Sequence, residues 1–167
     1  PPIVNWGKML SYKEGLIENN TKGIEYLFKK NKITLINGWA SFIDKNTINV
    51  GDKKFEADYF VIATGSKPTS LDNIGFDEKV ILSSTGALEL KKIPRKMIIV
   101  GAGVIGLEMG SIYNRLGTEV IVLEFFDKVL NGMDHEISKN FKGLLQKQGF
   151  KFHLNTSVSM IEKEKAG

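Results

Sequence analysis

Lys96-Met97-Ile98-Ile99-Val100-Gly101-Ala102-Gly103-Val104-Ile105-Gly106 is the stretch that decides the fold. Five residues of strand character, three of them β-branched, run without interruption into a glycine-spaced turn. The residues after the turn, 104–116, place apolar side chains at helical spacing, and Gly117 stops them as a C-cap. A second apolar run, Glu119–Leu123, follows and ends in Glu124. Strand, glycine turn, helix, strand is the order of a βαβ unit. With 17 glycines in the chain a GxGxxG match alone means little, so the flanking elements carry the reading.

Each position in the turn has a physical reason. Gly101 makes the tight passage from strand to helix. Gly103 lacks a Cβ, so a pyrophosphate can approach the backbone and the helix N-terminus, where free N–H groups and the dipole favour an anion. Gly106 lets the helix lie close on the sheet, and Gly110 extends that contact. Ala102, Val104 and Ile105 complete the cradle. Glu124 ends the second strand, where its carboxylate can accept both ribose hydroxyls of an adenosine. The same carboxylate repels a 2′-phosphate, and of the residues that follow, Phe125, Phe126, Asp127 and Lys128, only the last is basic. NAD is therefore expected over NADP.

Outward from the motif, Pro94 ends a short helix over 84–90 that Ser83 or Ser84 caps. After a loop at 125–133, Asp134 caps a helix running to about Gln148, Gly149 closes it, and strand Lys151–Leu154 follows. Val158–Glu162 reads as one more strand before a lysine- and glutamate-rich tail. Upstream, residues 5–30 carry Trp6, Met9, Leu10, Leu16, Ile17, Ile24, Leu27 and Phe28 at helical spacing, with Lys29, Lys30 and Lys32 at the dipole's negative end. The period then changes from 3.6 to 2. Ile33–Ile36, Trp39–Phe42, Thr47–Val50 and Lys53–Glu56 read as short strands separated by Asn37-Gly38, Asp44-Lys45-Asn46 and Gly51-Asp52, a β-meander. Tyr59–Ala63 reads as a buried strand ending in Thr64-Gly65-Ser66-Lys67-Pro68. The expected fold class is α/β: a Rossmann-type dinucleotide-binding domain, a parallel sheet with helices, preceded by a meander-bearing unit.

Composition narrows the function. A hydrophobic fraction of 42% with 25% charged residues is ordinary for a globular protein. No stretch approaches the roughly 18 uncharged apolar residues of a membrane helix, and no membrane partner is expected. The net charge of +4 comes from lysines scattered among acidic and amide residues, so no nucleic-acid partner is expected. With no cysteine, these residues hold no disulfide, thiolate metal site or thiol catalysis, and no metal site is expected. Pro1 and Pro2 are read as the start of an internal piece.

The motif extends to GAGVIGLEMGSIYNRLGTEVIVLEF, flanked by SSTGALELKKIP and DHEISKNFKGLLQKQGFKFHLNTSV. Together with TKGIEYLFKKNKITLINGWASF and ATGSKP, in that order, these segments resemble the dihydrolipoamide dehydrogenases of the pyridine nucleotide-disulfide oxidoreductase family. The resemblance covers essentially the whole chain. It implies residues 1–67 as part of an FAD-binding domain and residues 68–167 as part of the NAD-binding domain inserted into it. It further implies that Ala40 offers backbone to the flavin's adenine side and that Thr64, Gly65 and Ser66 close over FAD. Glu108 matches a supporting glutamate on the flavin and nicotinamide side, and Val158 a position touching the NAD adenine. From residue type alone, Thr64-Gly65-Ser66 is also a strand-ending turn, Ala40 and Val158 core residues, and Glu108 a solvated helix residue. His135 and His153 match no catalytic histidine and are read as surface residues.

The resemblance has gaps. The family's own FAD-binding GxGxxG, its CxxxxC redox disulfide, its later Gly-Asp motif and its C-terminal His–Glu pair are absent from these residues. No catalytic residue is therefore expected here, and the 167-residue polypeptide alone is expected to be inactive. The implied parent is a homodimer that oxidises protein-bound dihydrolipoamide with NAD+ through a disulfide and FAD. Its partner is a lipoyl-bearing protein of a 2-oxoacid dehydrogenase complex or of the glycine cleavage system. Its compartment is the mitochondrial matrix in a eukaryote, the cytoplasm in a bacterium. Two other readings remain open: a different disulfide flavoreductase resembling glutathione or mercuric reductase, and a non-catalytic dinucleotide-binding module.

Overall fold

A computed structural model of the chain describes residues 3–71 and 74–162. It contains α1 (Trp6–Lys30), β1 (Ala40–Phe42), β2 (Thr47–Val50), β3 (Lys53–Glu56), α2 (Ser84–Leu88), β4 (Lys96–Val100), α3 (Val104–Arg115), β5 (Glu119–Leu123), α4 (His135–Lys147) and β6 (Lys151–His153). The class is mixed α/β, with β1-β2-β3 antiparallel and β4-β5-β6 parallel, each sheet in chain order. Two compact units divide the chain: Lys8–Lys67, and Pro1–Gly7 with Pro68–Gly167.

In the first unit α1 stops where Lys32 enters the left-handed region at φ 56°, and the Asn31 amide donates to the Leu27 carbonyl at 2.8 Å. The meander's register sets Ala40 opposite Val50 and Phe42 opposite Ile48, then Thr47 opposite Glu56 and Val50 opposite Lys53. Asp44 accepts from the Asn46 N–H at 2.8 Å, closing the first turn, and Gly51 at φ 59° makes the second.

Three expected strands are missing. Ile33–Ile36 forms no strand, and Tyr59–Ala63 is neither a strand nor buried, with Tyr59 92% and Val61 91% exposed. Val158–Glu162 also has no strand pairing. The physical reason is shared: β-branched residues favour extended backbone, but a strand exists only when a neighbour takes its hydrogen bonds, and none of the described residues forms a ladder with these segments. The apolar stripe of α1 likewise buries nothing, and Met9, Leu16, Ile17, Ile24 and Leu27 are exposed.

The second unit has a true core. Its parallel register puts Lys96 opposite Glu119 and Val100 opposite Leu123, with Leu123 opposite His153 on the other side. β5 is thus central, and its Val120 and Val122, both 0% exposed, pack with Leu107, Val129, Leu130, Leu145 and Phe150. Full burial of one such side chain stabilises by roughly 1.5–3 kcal/mol, which is why this unit is the better consolidated of the two.

Local signals end the helices as expected. Ser83, rather than Ser84, caps α2 by accepting from the Gly86 N–H, and Asp134 caps α4 by accepting from the Glu136 and Ile137 N–H groups. Gly117 at φ 94° and Gly149 at φ 101° follow α3 and α4. The Tyr113 hydroxyl on α3 donates to the Ala87 carbonyl, tying α2 to the sheet's helix layer. The Trp6 indole N–H donates to the Leu90 carbonyl at 2.9 Å.

Candidate functional site: the glycine turn and Glu124

The carboxyl ends of β4 and β5 meet at the glycine turn, the position where open α/β sheets take ligands. The Gly101 N–H donates to the Leu123 carbonyl at 2.8 Å, extending the ladder by one residue into the turn. Gly101 then adopts φ 100°, which side-chain-bearing residues avoid. Gly106 and Gly110 are demanded by packing. A Cβ on Gly106 would lie 2.8 Å from the Gly101 carbonyl oxygen, and one on Gly110 would lie 2.8 Å from both Ile99 and Phe150 side-chain atoms.

Gly103 is different. Its φ of −77° suits any residue, and a Cβ built there meets no atom within 4 Å. Folding does not require glycine at this position. Gly103 is also the N-cap of α3 and provides no side-chain bond to the helix's first turn. The N–H groups of Val104 and Ile105 therefore face an open approach with the positive end of a 12-residue helix behind them.

Glu124 sits at the end of β5 and is only 8% exposed. Its Oε2 accepts from the Ala102 N–H at 2.5 Å and its Oε1 from the Phe126 N–H at 2.9 Å. Ala102 is 1% exposed, and its carbonyl accepts from the Leu130 N–H at 2.9 Å. A carboxylate has about four acceptor sites, so two remain after these bonds. The chain after β6 returns to the same end: the Thr156 N–H donates to the Glu124 carbonyl at 2.8 Å and the Asn155 N–H to the Phe126 carbonyl at 3.0 Å. This brings the segment of half-buried Val158 toward β5's carboxyl end, on unpaired backbone rather than in the expected strand.

Gly101, Ala102, Gly103, Val104, Ile105, Gly106 and Glu124 thus form one local group. Glu108 lies one turn into α3, exposed, and makes no ion pair among the described residues.

The remaining candidates belong to the first unit. Ala40 is exposed, which corrects its reading as a core residue. The Ile43 N–H bonds the Thr47 carbonyl at 2.9 Å, so by antiparallel alternation Ser41 bonds Asn49 while Ala40 turns its N–H and C=O away from β2. With β1 at the edge of its sheet, those groups are open to a ligand. Thr64, Gly65 and Ser66 are exposed, with Gly65 at φ 75°, and no strand precedes them to make them a strand-ending turn.

His135 and His153 are both exposed, as expected. No group of three or more His, Asp or Glu side chains among the described residues is placed to hold a metal ion. No helix among them is long and apolar enough to cross a membrane. The backbone donors of Phe126 and Leu130, which hold the site together, were not foreseen, because a main-chain N–H leaves no signature in residue type.

On the parallel-sheet side, Glu119 accepts from the Lys151 ammonium at 2.5 Å and pairs with Lys96 at 3.5 Å across all three strands. The Lys151 hydrogen bond first, then the two lysines' charges, hold the Glu119 carboxyl below the usual glutamate range.

Comparison with known proteins agrees with this geometry. The family model for pyridine nucleotide-disulphide oxidoreductases matches residues 3–166. The chain is 46% identical over 166 residues to the mitochondrial dihydrolipoyl dehydrogenase of Dictyostelium discoideum, spanning 96% of this chain and 34% of that protein. It is 45% identical over 170 residues to the human mitochondrial dihydrolipoyl dehydrogenase, spanning 98% and 33%. Leghemoglobin reductase of Vigna unguiculata is 44% identical over 95% of the chain and 31% of its own length. The chain therefore spans about a third of the length of the curated relatives it matches.

Among solved structures, the HOCl-induced flavoprotein disulfide reductase RclA from Escherichia coli superposes with a TM-score of 0.85 at 26% identity, over 97% of this chain and 38% of that one. LpdA from Mycobacterium tuberculosis shares the fold with a TM-score of 0.88 at 22% identity, over 99% and 39%. A glycine turn on a parallel sheet, an acidic residue closing the next strand and a family match over nearly every residue lead to one conclusion: the chain belongs to the pyridine nucleotide-disulphide oxidoreductase family.

Proposed function

We propose that this chain is the part of a dihydrolipoyl dehydrogenase that holds NAD(H) and one side of FAD. The observation that carries the reading is Gly103, a glycine that neither dihedral angle nor packing requires, at the open N-terminus of α3. The cradle suits a pyrophosphate: Val104 and Ile105 N–H groups donate to it, and the bare Gly103 backbone lets it approach. Glu124 accepts the adenosine ribose hydroxyls on its two remaining acceptor sites and disfavours a 2′-phosphate. Val158 lines the adenine side, and Glu108 faces the nicotinamide and flavin side. Residues 1–67 are the FAD-binding part and 68–167 the NAD-binding part, a boundary supported by the break at Lys67–Pro68, although the residues up to Gly7 group with the second part. Ala40's outward backbone groups and the Thr64-Gly65-Ser66 turn serve FAD.

Bound NAD+ supplies a two-electron acceptor, and the protein's part is position and electrostatics. The α3 dipole offsets the pyrophosphate charge, and Glu124 fixes the adenosine end. With no cysteine here, the dithiol chemistry belongs to other residues of the enzyme. The whole enzyme is a homodimer acting on a lipoyl-bearing protein of a 2-oxoacid dehydrogenase complex or the glycine cleavage system. Its compartment is the mitochondrial matrix in a eukaryote and the cytoplasm in a bacterium; the relatives named as mitochondrial support a mitochondrial location in the first case.

The cofactor choice is tested with Glu124→Ala in the purified full-length protein. Each charge-assisted bond to a ribose hydroxyl is worth about 1.5–3 kcal/mol. NADH efficiency should fall by roughly ten- to hundredfold while NADPH falls less or rises. A kcat/KM ratio for NADH over NADPH that moves by less than about threefold would remove Glu124 as the selecting residue.

A further inference from the structure

We propose that Glu124 is also a positioning residue for the phosphate-binding turn, so that one carboxylate sets the ribose site and the shape of the pyrophosphate cradle together. The inference rests on the NAD(H) reading of the site and adds a second task to its acidic residue. Its starting point is Ala102, the residue between the two glycines of the turn. At 1% exposure its N–H cannot reach water, and the acceptor it finds is Glu124 Oε2 at 2.5 Å.

The other oxygen of the carboxylate is held as well, by the Phe126 N–H at 2.9 Å, which removes the side chain's freedom to rotate away. The Ala102 carbonyl is fixed from the opposite direction by the Leu130 N–H at 2.9 Å, and the Gly101 N–H by the Leu123 carbonyl at 2.8 Å. Of these three restraints on the turn, only the Glu124 bond comes from a side chain. It is therefore the one that substitution can remove. Without it Ala102 keeps a buried, unsatisfied donor, and the turn must shift to hydrate it. Such a shift re-aims the Val104 and Ile105 N–H groups, because Gly103, which joins Ala102 to them, is the N-cap of α3.

Glutamine is the informative substitution. It keeps size and shape, but one of its two terminal atoms becomes an NH2 donor. One arm of the side chain must then face an N–H, of Ala102 or of Phe126, donor against donor. A carboxylate whose only task were to accept ribose hydroxyls would, when replaced, weaken only ligands that carry those hydroxyls. A carboxylate that also shapes the turn weakens ligands that lack them.

The experiment titrates purified full-length wild type and Glu124→Gln with ADP and with 2′,3′-dideoxy-ADP, and follows the Ala102 amide by hydrogen exchange without ligand. Glu124→Gln should weaken 2′,3′-dideoxy-ADP at least threefold and ADP by more, should speed Ala102 exchange at least tenfold, and should lower the melting temperature by no more than a few degrees. Dideoxy-ADP affinity within twofold of wild type, with ADP falling tenfold, would overturn the positioning role and leave the ribose role intact. If neither ligand's affinity moves, the NAD(H) reading of Glu124 falls with it. Should the variant fail to fold, wild type decides alone: its Ala102 amide must exchange more slowly than those of Val104 and Ile105, and equal rates overturn the proposal.

Discussion

Gly103→Ala separates what folding asks of the glycine turn from what a ligand asks of it. The backbone at Gly103 has φ −77° and ψ 171°, open to any L-residue, and the added methyl would meet no atom within 4 Å. On the folded side the change therefore costs nothing in strain. On the unfolded side it removes backbone freedom, worth about 0.4–1 kcal/mol, while alanine is a poorer N-cap than glycine by a similar amount, so stability should stay level. Tm should accordingly stay within a few degrees of wild type. The methyl does occupy the space through which a pyrophosphate reaches the N–H groups of Val104 and Ile105. Forcing a ligand against an extra methyl costs about 1–3 kcal/mol, or roughly five- to 150-fold in affinity. Thermal unfolding and an NADH titration on the same purified full-length preparation read both quantities. Lower Tm with weaker binding would make Gly103 an ordinary folding residue. Unchanged NADH affinity would mean that the pyrophosphate does not cross this position, and the proposed site would lose its main support.

Gly106→Ala should behave in the opposite sense, losing roughly 1–3 kcal/mol of stability in denaturant unfolding. Its methyl would stand 2.8 Å from the Gly101 carbonyl oxygen and 3.0 Å from the Ile99 side chain. Lys151→Met should make unfolding less sensitive to acid. The Glu119 carboxyl is depressed in the folded state, first by the Lys151 hydrogen bond, so its contribution is present above the unfolded glutamate value and lost as pH falls through the folded one. The Tm gap between wild type and Lys151→Met should accordingly be open at pH 7 and close below the usual glutamate range, and a gap independent of pH would exclude this linkage.

The second unit was legible in residue order because its signals are local and mutually consistent. β4, α3, β5, α4 and β6 fall within a residue or so of the boundaries that Gly117, Asp134 and Gly149 mark. Those residues act through their own dihedral angles or through bonds to near neighbours, which sequence spacing reveals directly. Tyr59–Ala63 and Ile33–Ile36 failed for the converse reason. Their composition specifies extended backbone, while pairing depends on where another strand lies, and residue type does not encode that. At the site, the glycines and Glu124 were identifiable from spacing. The bond from Ala102 to Glu124 spans 22 positions and the one from Leu130 joins two main chains, so neither was visible until the fold closed.

The glycines of the turn also show how a binding site can be told from a fold. Gly101 is explained by its left-handed dihedral, and Gly106 and Gly110 by atoms that leave no room for a methyl. Once those demands are met, only Gly103 lacks a folding reason, and it lies where helix N–H groups are exposed. Glu124 carries the same kind of surplus. Burying a carboxylate costs several kcal/mol, and the Ala102 and Phe126 N–H groups that offset this occupy only two of its roughly four acceptor sites. A charge kept at 8% exposure, with two backbone donors arranged around it, calls for a further partner that values the charge. Ribose hydroxyls donating to its remaining acceptor sites supply one. The bare backbone at Gly103 and the spare acceptor sites of Glu124 thus both exceed what folding requires, and they converge on one ligand because the same carboxylate holds the turn that joins them.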